Sequence, residues 1–187
     1  FKQAGDVNNN TGAGVEALDA ITTGADNTAF GFRSLTSSTT GNQNAAFGSF
    51  SLCKNTTGTQ NTAVGHAALQ DNTHGNFNTA VGTDALRCNI TTDEGTALGY
   101  KALRINKANR NTAIGSYVLS ANTTGKCNTA IGAASMESNT TGSCNVAVGV
   151  QALEDNISGC QNVAVGFESL RCNTTGIQNT AIGTNSL

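Results

Sequence analysis

The feature that most constrains this chain is a period of 17 residues. Asn61-Thr62-Ala63-Val64-Gly65 returns as Asn78-Thr79-Ala80-Val81-Gly82. Equivalent units open at Asn10, Asn27, Asn44, Asn61, Asn78, Gly95, Asn111, Asn128, Asn145, Asn162 and Asn179. Every step is 17 residues except that from Gly95 to Asn111, which is 16. Gly holds the fifth place in all eleven units, and Leu the ninth in all but one, where Met136 stands. The consensus reads N-T-A-(V/I/F)-G-x-x-(A/S)-L-x-x-N-T-T-G-x-x, and self-similarity at a fixed period is the mark of a repeat architecture.

The unit is too short for a helical hairpin and is rich in Gly, Asn and Thr, which rank low in helix propensity. No 3.6-residue stripe is sustained. The pattern therefore predicts an all-β fold, a parallel β-solenoid of about eleven 17-residue rungs, forming a single domain over residues 1–187. Glycines at the fifth and fifteenth places are expected at corners that need positive φ. With strands about 4.8 Å apart, the rungs make a rod roughly 50 Å long.

Adjacent apolar residues such as Ala63 and Val64 point to opposite faces of a strand. The expected core ladder runs through Val64, Leu69, Val81, Leu86, Ile114, Leu119, Ile131, Val148, Leu153, Val165 and Leu170. The other face is then buried against a second subunit or layer, or exposed as a small-residue stripe. Alternatively, one residue of each pair sits in a turn and also faces inward.

The segments "NTAVG" and "NTAIG", with the "AL" that follows, resemble the repeats of YadA-like heads in trimeric autotransporter adhesins. They are equally similar to repeats in viral and phage tail fibres. The likeness runs from Asn10 to Leu187. It implies a left-handed parallel β-roll, often trimeric, used for adhesion or as a rigid spacer. The unit here is longer than the YadA-like one, by the inserted "xxNTTG" turn.

Phe1 and Leu187 both fall at the ninth place of a unit, so the chain enters and leaves the repeat at one phase. Open β edges in matching register are templates for pairing, and subunits are expected to stack end to end into a filament, the alternative being that these boundaries are those of a fragment cut from a longer fibre.

The twelfth place often forms the sequon N-x-(S/T), at Asn55, Asn89, Asn122, Asn139, Asn156 and Asn173, with Asn9 outside that column. These are glycosylation candidates, against the plainer reading of NTTG as turn chemistry. Asn72 occupies the same column without a sequon. Six cysteines are compatible with an oxidising compartment. Cys127 and Cys144 share a column on adjacent rungs and are expected within disulfide range, with Cys160 one column away as a competitor for Cys144. Cys88 and Cys172 lie five rungs apart and cannot pair within one chain.

Charged residues make up 12% of the chain and the net charge is −2, a balance that argues against nucleic-acid binding. No apolar run approaches the roughly 20 residues needed to cross a bilayer, so no membrane insertion is expected. His66 and His74 stand in different columns, and no metal-ligand spacing, nucleophile elbow or phosphate loop is present. Neither catalysis nor a cofactor is expected. The reading is a structural subunit of an extracellular fibre, self-associating as a homopolymer or homotrimer at a cell or virion surface. An adhesin head or tail-fibre shaft that binds a surface glycan or receptor is the alternative, with Thr91–Arg110 its most irregular segment. A third, ice binding, requires Thr62, Thr79, Thr96 and Thr112 to face outward.

Overall fold

The computed structural model describes residues 8–187. Each rung contributes one three-residue strand from its second to fourth places. These are β1 (Thr11–Ala13), β2 (Thr28–Phe30), β3 (Ala45–Phe47), β4 (Thr62–Val64), β5 (Thr79–Val81), β6 (Thr96–Leu98), β7 (Thr112–Ile114), β8 (Thr129–Ile131), β9 (Val146–Val148), β10 (Val163–Val165) and β11 (Thr180–Ile182). All eleven pair in parallel and in chain order, with equivalent places opposite one another, as in Ala63↔Ala80. The β-solenoid implied by the period is the fold. The short rung keeps this register, Ala97 facing Ala113, because its missing residue lies in the turn.

The interior is narrow. Ala at the third place is fully buried from Ala29 to Ala164, and shares the core with Leu at the ninth place and with Ala, Ser or, once, Val118 at the eighth. In the first rung the third place is Gly12, and a methyl added there would come within 3.0 Å of Leu18 Cδ1. The Leu column, from Leu18 to Leu170 with Met136 among them, adopts left-handed φ between +48° and +53°. That conformation costs an L-residue about 1–2 kcal/mol. Burying a Leu side chain is worth about 1.5–3 kcal/mol, which offsets it, and each amide also reaches the next rung, as in Leu52 N–H to Ala68 O at 3.0 Å.

Six of the eleven residues of the expected core ladder are reversed. Leu69, Leu86, Leu119, Leu153 and Leu170 do line the interior. Val64, Val81, Ile114, Ile131, Val148 and Val165 face outward, with Val64 and Ile131 each 37% exposed. Strand alternation allows only one of the third and fourth places to point inward, and the interior has room only for the smaller.

Two buried asparagine ladders tie the rungs together. At the first place, Asn61 donates its backbone N–H and its Nδ2 to Asn44 Oδ1, at 3.0 and 3.1 Å, and Nδ2 also reaches Gly75 O at 2.8 Å. At the twelfth place, Asn72 Nδ2 donates to Asn55 Oδ1 at 2.8 Å and to the same Gly75 O at 3.0 Å. The fifteenth-place carbonyl is thus the junction of both ladders. The two glycine columns have different causes. The fifth place has φ between +125° and +142°, as expected of a corner. The fifteenth, contrary to expectation, has no positive φ; a Cβ on Gly75 would collide with Asn72 Oδ1 and the backbone oxygen of Thr92. Close approach between rungs, rather than a left-handed turn, demands glycine there.

Candidate functional site

With the interior filled by repeating Ala, Leu and Asn, any recognition has to come from the outward columns. The sheet face carries the second and fourth places, and the sixth continues it past the corner. Thr62, Thr96 and Thr112 are half-buried on this face and Thr79 is exposed, so they meet the outward condition for a Thr face; Ala45, Val146 and Val163 interrupt the column. The fourth place beside them is apolar in every rung. Together with Val15, Phe32, Tyr100, Val150 and Phe167 at the sixth place, it leaves an exposed apolar stripe running along the rod.

This stripe is richest in aromatic side chains toward its first rungs. Phe30 and Phe47 stack with centroids 5.4 Å apart, and Phe32 meets Phe50 edge to face at 5.2 Å. His66 extends the cluster at 6.0 Å from Phe50. Farther along, Tyr100 and Tyr117 pack edge to face at 5.3 Å, with the Lys101 ammonium 4.8 Å from the Tyr100 ring centre. Placing the fourth column in the core hid this cluster. The available signal was that Phe30 and Phe47 share a column otherwise filled by residues as small as Ala13.

No family model, curated protein or solved structure matches the chain.

The sequon column is inside the rod. Asn55, Asn89, Asn122, Asn139 and Asn156 are fully buried, and their Nδ2 groups, the atoms that would carry a glycan, donate to neighbouring oxygens. Asn139, for example, reaches Asn122 Oδ1 at 2.7 Å and Gly142 O at 3.0 Å. Asn173 is half-buried and bonded in the same way, to Asn156 Oδ1 at 3.1 Å. The folded rod has no space for sugars at this column, and Asn72, which lacks a sequon, is buried like its neighbours. Of the candidates, Asn9 alone is exposed, its Nδ2 donating to Asp26 Oδ1 at 3.3 Å.

All six cysteines are free thiols. Cys127 and Cys144 occupy the seventeenth place, exposed and left-handed, yet they do not bond. In-register rungs hold equivalent Cβ atoms about a strand spacing apart, about 4.8 Å. A disulfide holds its Cβ atoms about 3.5–4.5 Å apart, so closing one would draw the two rungs together at this corner. Cys160 is engaged elsewhere: its Sγ accepts the Ser143 N–H at 3.3 Å and donates to Ser158 O at 3.3 Å. Burial holds the Cys53 thiol above its usual range, against the pull of Arg33 and Lys54. Among the described residues no group of three His, Cys, Asp or Glu side chains is placed to hold a metal ion. Among the described residues there is no helix long and apolar enough to cross a membrane.

Charged side chains pair from rung to rung on the surface. Arg33 meets Glu16 at 2.6 Å, Lys54 meets Asp71 at 2.8 Å, and Arg171 meets Glu154 at 2.7 Å. Exposed pairs of this kind add little stability. In the segment Thr91–Arg110, Arg110 pairs with Glu94 at 2.8 Å and Asp93 accepts the Asn76 backbone amide at 2.7 Å.

Proposed function

We propose that the chain is a structural rod, a segment of an extracellular fibre in which one copy continues the β-solenoid of the next. The observation that carries this reading is the unbroken parallel register of eleven strands. Because neighbouring rungs join through the same backbone and asparagine bonds, the surface that one rung offers its successor is also the surface a second copy would offer. The outward columns vary more in side-chain size and polarity, apart from the apolar fourth place, as expected where the load is carried inside. The extracellular placement rests on the YadA-like and tail-fibre-like repeats; the cysteines, being free, add nothing to it.

Electron microscopy of concentrated, purified protein tests the proposal. Filaments whose length is a multiple of roughly 50 Å, eleven strand spacings, are expected. Single particles one rod long at every concentration would overturn it.

The apolar stripe favours a second reading, a side-by-side bundle of copies like a trimeric adhesin head or fibre shaft. Monomeric proteins rarely expose a contiguous apolar patch of more than a few hundred Å², and this one follows the whole rod. Light scattering coupled to chromatography distinguishes the readings. A concentration-independent trimer dispersed by Val64→Glu and Ile131→Glu supports the bundle.

A further inference from the structure

The short rung creates something its neighbours lack. In a regular turn, successive amides converge on one carbonyl of the next rung: Thr56, Thr57 and Gly58 donate to Thr73 O at 3.0, 3.1 and 3.3 Å. The same three-to-one convergence recurs on Thr39 O, Thr140 O and Ile157 O. The next rung after Ile90, Thr91 and Thr92 is the one with 16 residues, and its turn is reduced to Asn106-Lys107-Ala108. The carbonyl that should receive these amides is displaced, and among the described residues they meet no acceptor.

A compensating change accompanies the deletion. Thr92 stands at the fifteenth place, where the close approach of the next rung otherwise requires Gly. The retreat of the shortened turn makes room for its side chain, whose hydroxyl bonds Asn89 Oδ1. What remains open is a cavity of about 200 Å³ lined by Ile90, Thr91, Thr92 and Lys107. Lys107 has no acidic partner among the described residues. The two acids that follow Thr92 in the chain are engaged elsewhere, Asp93 by the Asn76 amide at 2.7 Å and Glu94 by Arg110.

We propose that this notch is an anion site, taking a tetrahedral oxyanion, sulfate or phosphate, whose oxygen replaces the missing carbonyl. Successive backbone amides directed at one point form an anion-binding concavity, and the Lys107 ammonium supplies a charge-assisted bond to a second oxygen. The volume accommodates such a group with some of its water, each water taking about 30 Å³. The free ion and a sulfate monoester on a sugar share this chemistry. The site does not depend on whether the rod polymerises.

The test uses the ¹⁵N-labelled chain in chloride-free buffer, titrated with sodium sulfate, sodium phosphate and a monosulfated monosaccharide. Saturable shifts confined to the amides of Ile90, Thr91 and Thr92 are expected with either inorganic ion. Tighter binding of the sulfated sugar would identify the ester as the better ligand; equal or weaker binding would identify the free ion. Lys107→Gln should weaken binding about tenfold, in keeping with loss of a charged donor. Inserting Thr after Lys107, together with Thr92→Gly and Ala108→Gly, restores the regular turn and should abolish binding. No saturable shift in the parent chain overturns the proposal, as does binding that survives in the restored-turn variant or is unchanged in Lys107→Gln.

Discussion

Replacing Asn139 by Ala should be among the most damaging single changes to this rod, although the residue sits in a sequon. Three hydrogen bonds disappear: Nδ2 to Asn122 Oδ1 at 2.7 Å, Nδ2 to Gly142 O at 3.0 Å, and Asn156 Nδ2 to Asn139 Oδ1 at 2.8 Å. Gly142 O keeps Asn128 Nδ2 at 2.8 Å and Asn156 Nδ2 keeps Gly159 O at 3.1 Å, but Asn122 Oδ1 is left buried without a donor. At about 1 kcal/mol per net bond, plus about 1–3 kcal/mol for the orphaned acceptor, the loss comes to about 4–6 kcal/mol. Thr141→Ala is the control. It destroys the same sequon but removes only an exposed side chain, and should cost less than about 0.5 kcal/mol. Guanidinium unfolding followed by circular dichroism gives the midpoints. Because repeat arrays can open rung by rung, amide exchange around β8 and β9 should show where protection is lost. Equal effects of the two substitutions, or a loss below about 1 kcal/mol for Asn139→Ala, would refute the buried-ladder account.

Gly65→Ala should destabilise by at least about 2 kcal/mol, since it combines a strained φ of +129° with a Cβ placed 2.8 Å from the Gly82 carbonyl; a midpoint change of less than half that size would count against rung contact as the cause. Ser38 interrupts the twelfth-place ladder with a buried hydroxyl that has no partner. Ser38→Asn should therefore raise the unfolding midpoint, by about 1 kcal/mol for each bond recovered, whereas a lowered midpoint would mean the wall cannot admit the amide. Burial, and next the Glu154 carboxylate, hold Glu137 above the usual carboxylate range. A raised carboxyl pKa means the fold prefers the protonated form, so Glu137 costs stability as pH rises through the carboxylate range toward neutrality. Glu137→Gln should stabilise at neutral pH and lose that advantage near pH 3, where both states are protonated; a pH-independent effect would assign the change to packing instead.

The period made the solenoid, its rung length and the Leu column legible. What it left ambiguous was direction. Strand alternation normally separates inward apolar from outward polar residues, but here the third and fourth places are both apolar, so hydrophobicity does not say which faces in. Size does: Ala recurs at the third place while the fourth ranges from Ala13 to Phe47, as a narrow interior and a free surface require. The twelfth-place Asn misled for a related reason. A sequon and a turn both suggest exposure, whereas its near-constancy reflects a packed ladder, unlike the sixteenth place, which accepts Asn42, Thr59, Lys126 and Cys160. The oxyanion notch was foreshadowed by the missing residue but not located by it. Only comparison with the neighbouring turns reveals that three amides lack the carbonyl their counterparts share.

The asparagine ladders also give the rod a direction. Asn27 donates to Asn10, Asn44 to Asn27, Asn72 to Asn55 and Asn139 to Asn122, always toward the preceding rung. One face of any rung therefore presents amide donors and the opposite face presents their acceptors. Two copies meeting by like faces would set donor against donor or acceptor against acceptor. If copies stack as proposed, the ladders favour contact between unlike faces, a heterologous arrangement that does not close on itself. An assembly made this way has two chemically distinct ends, so it can grow at unequal rates from them and can present a single orientation to whatever anchors it.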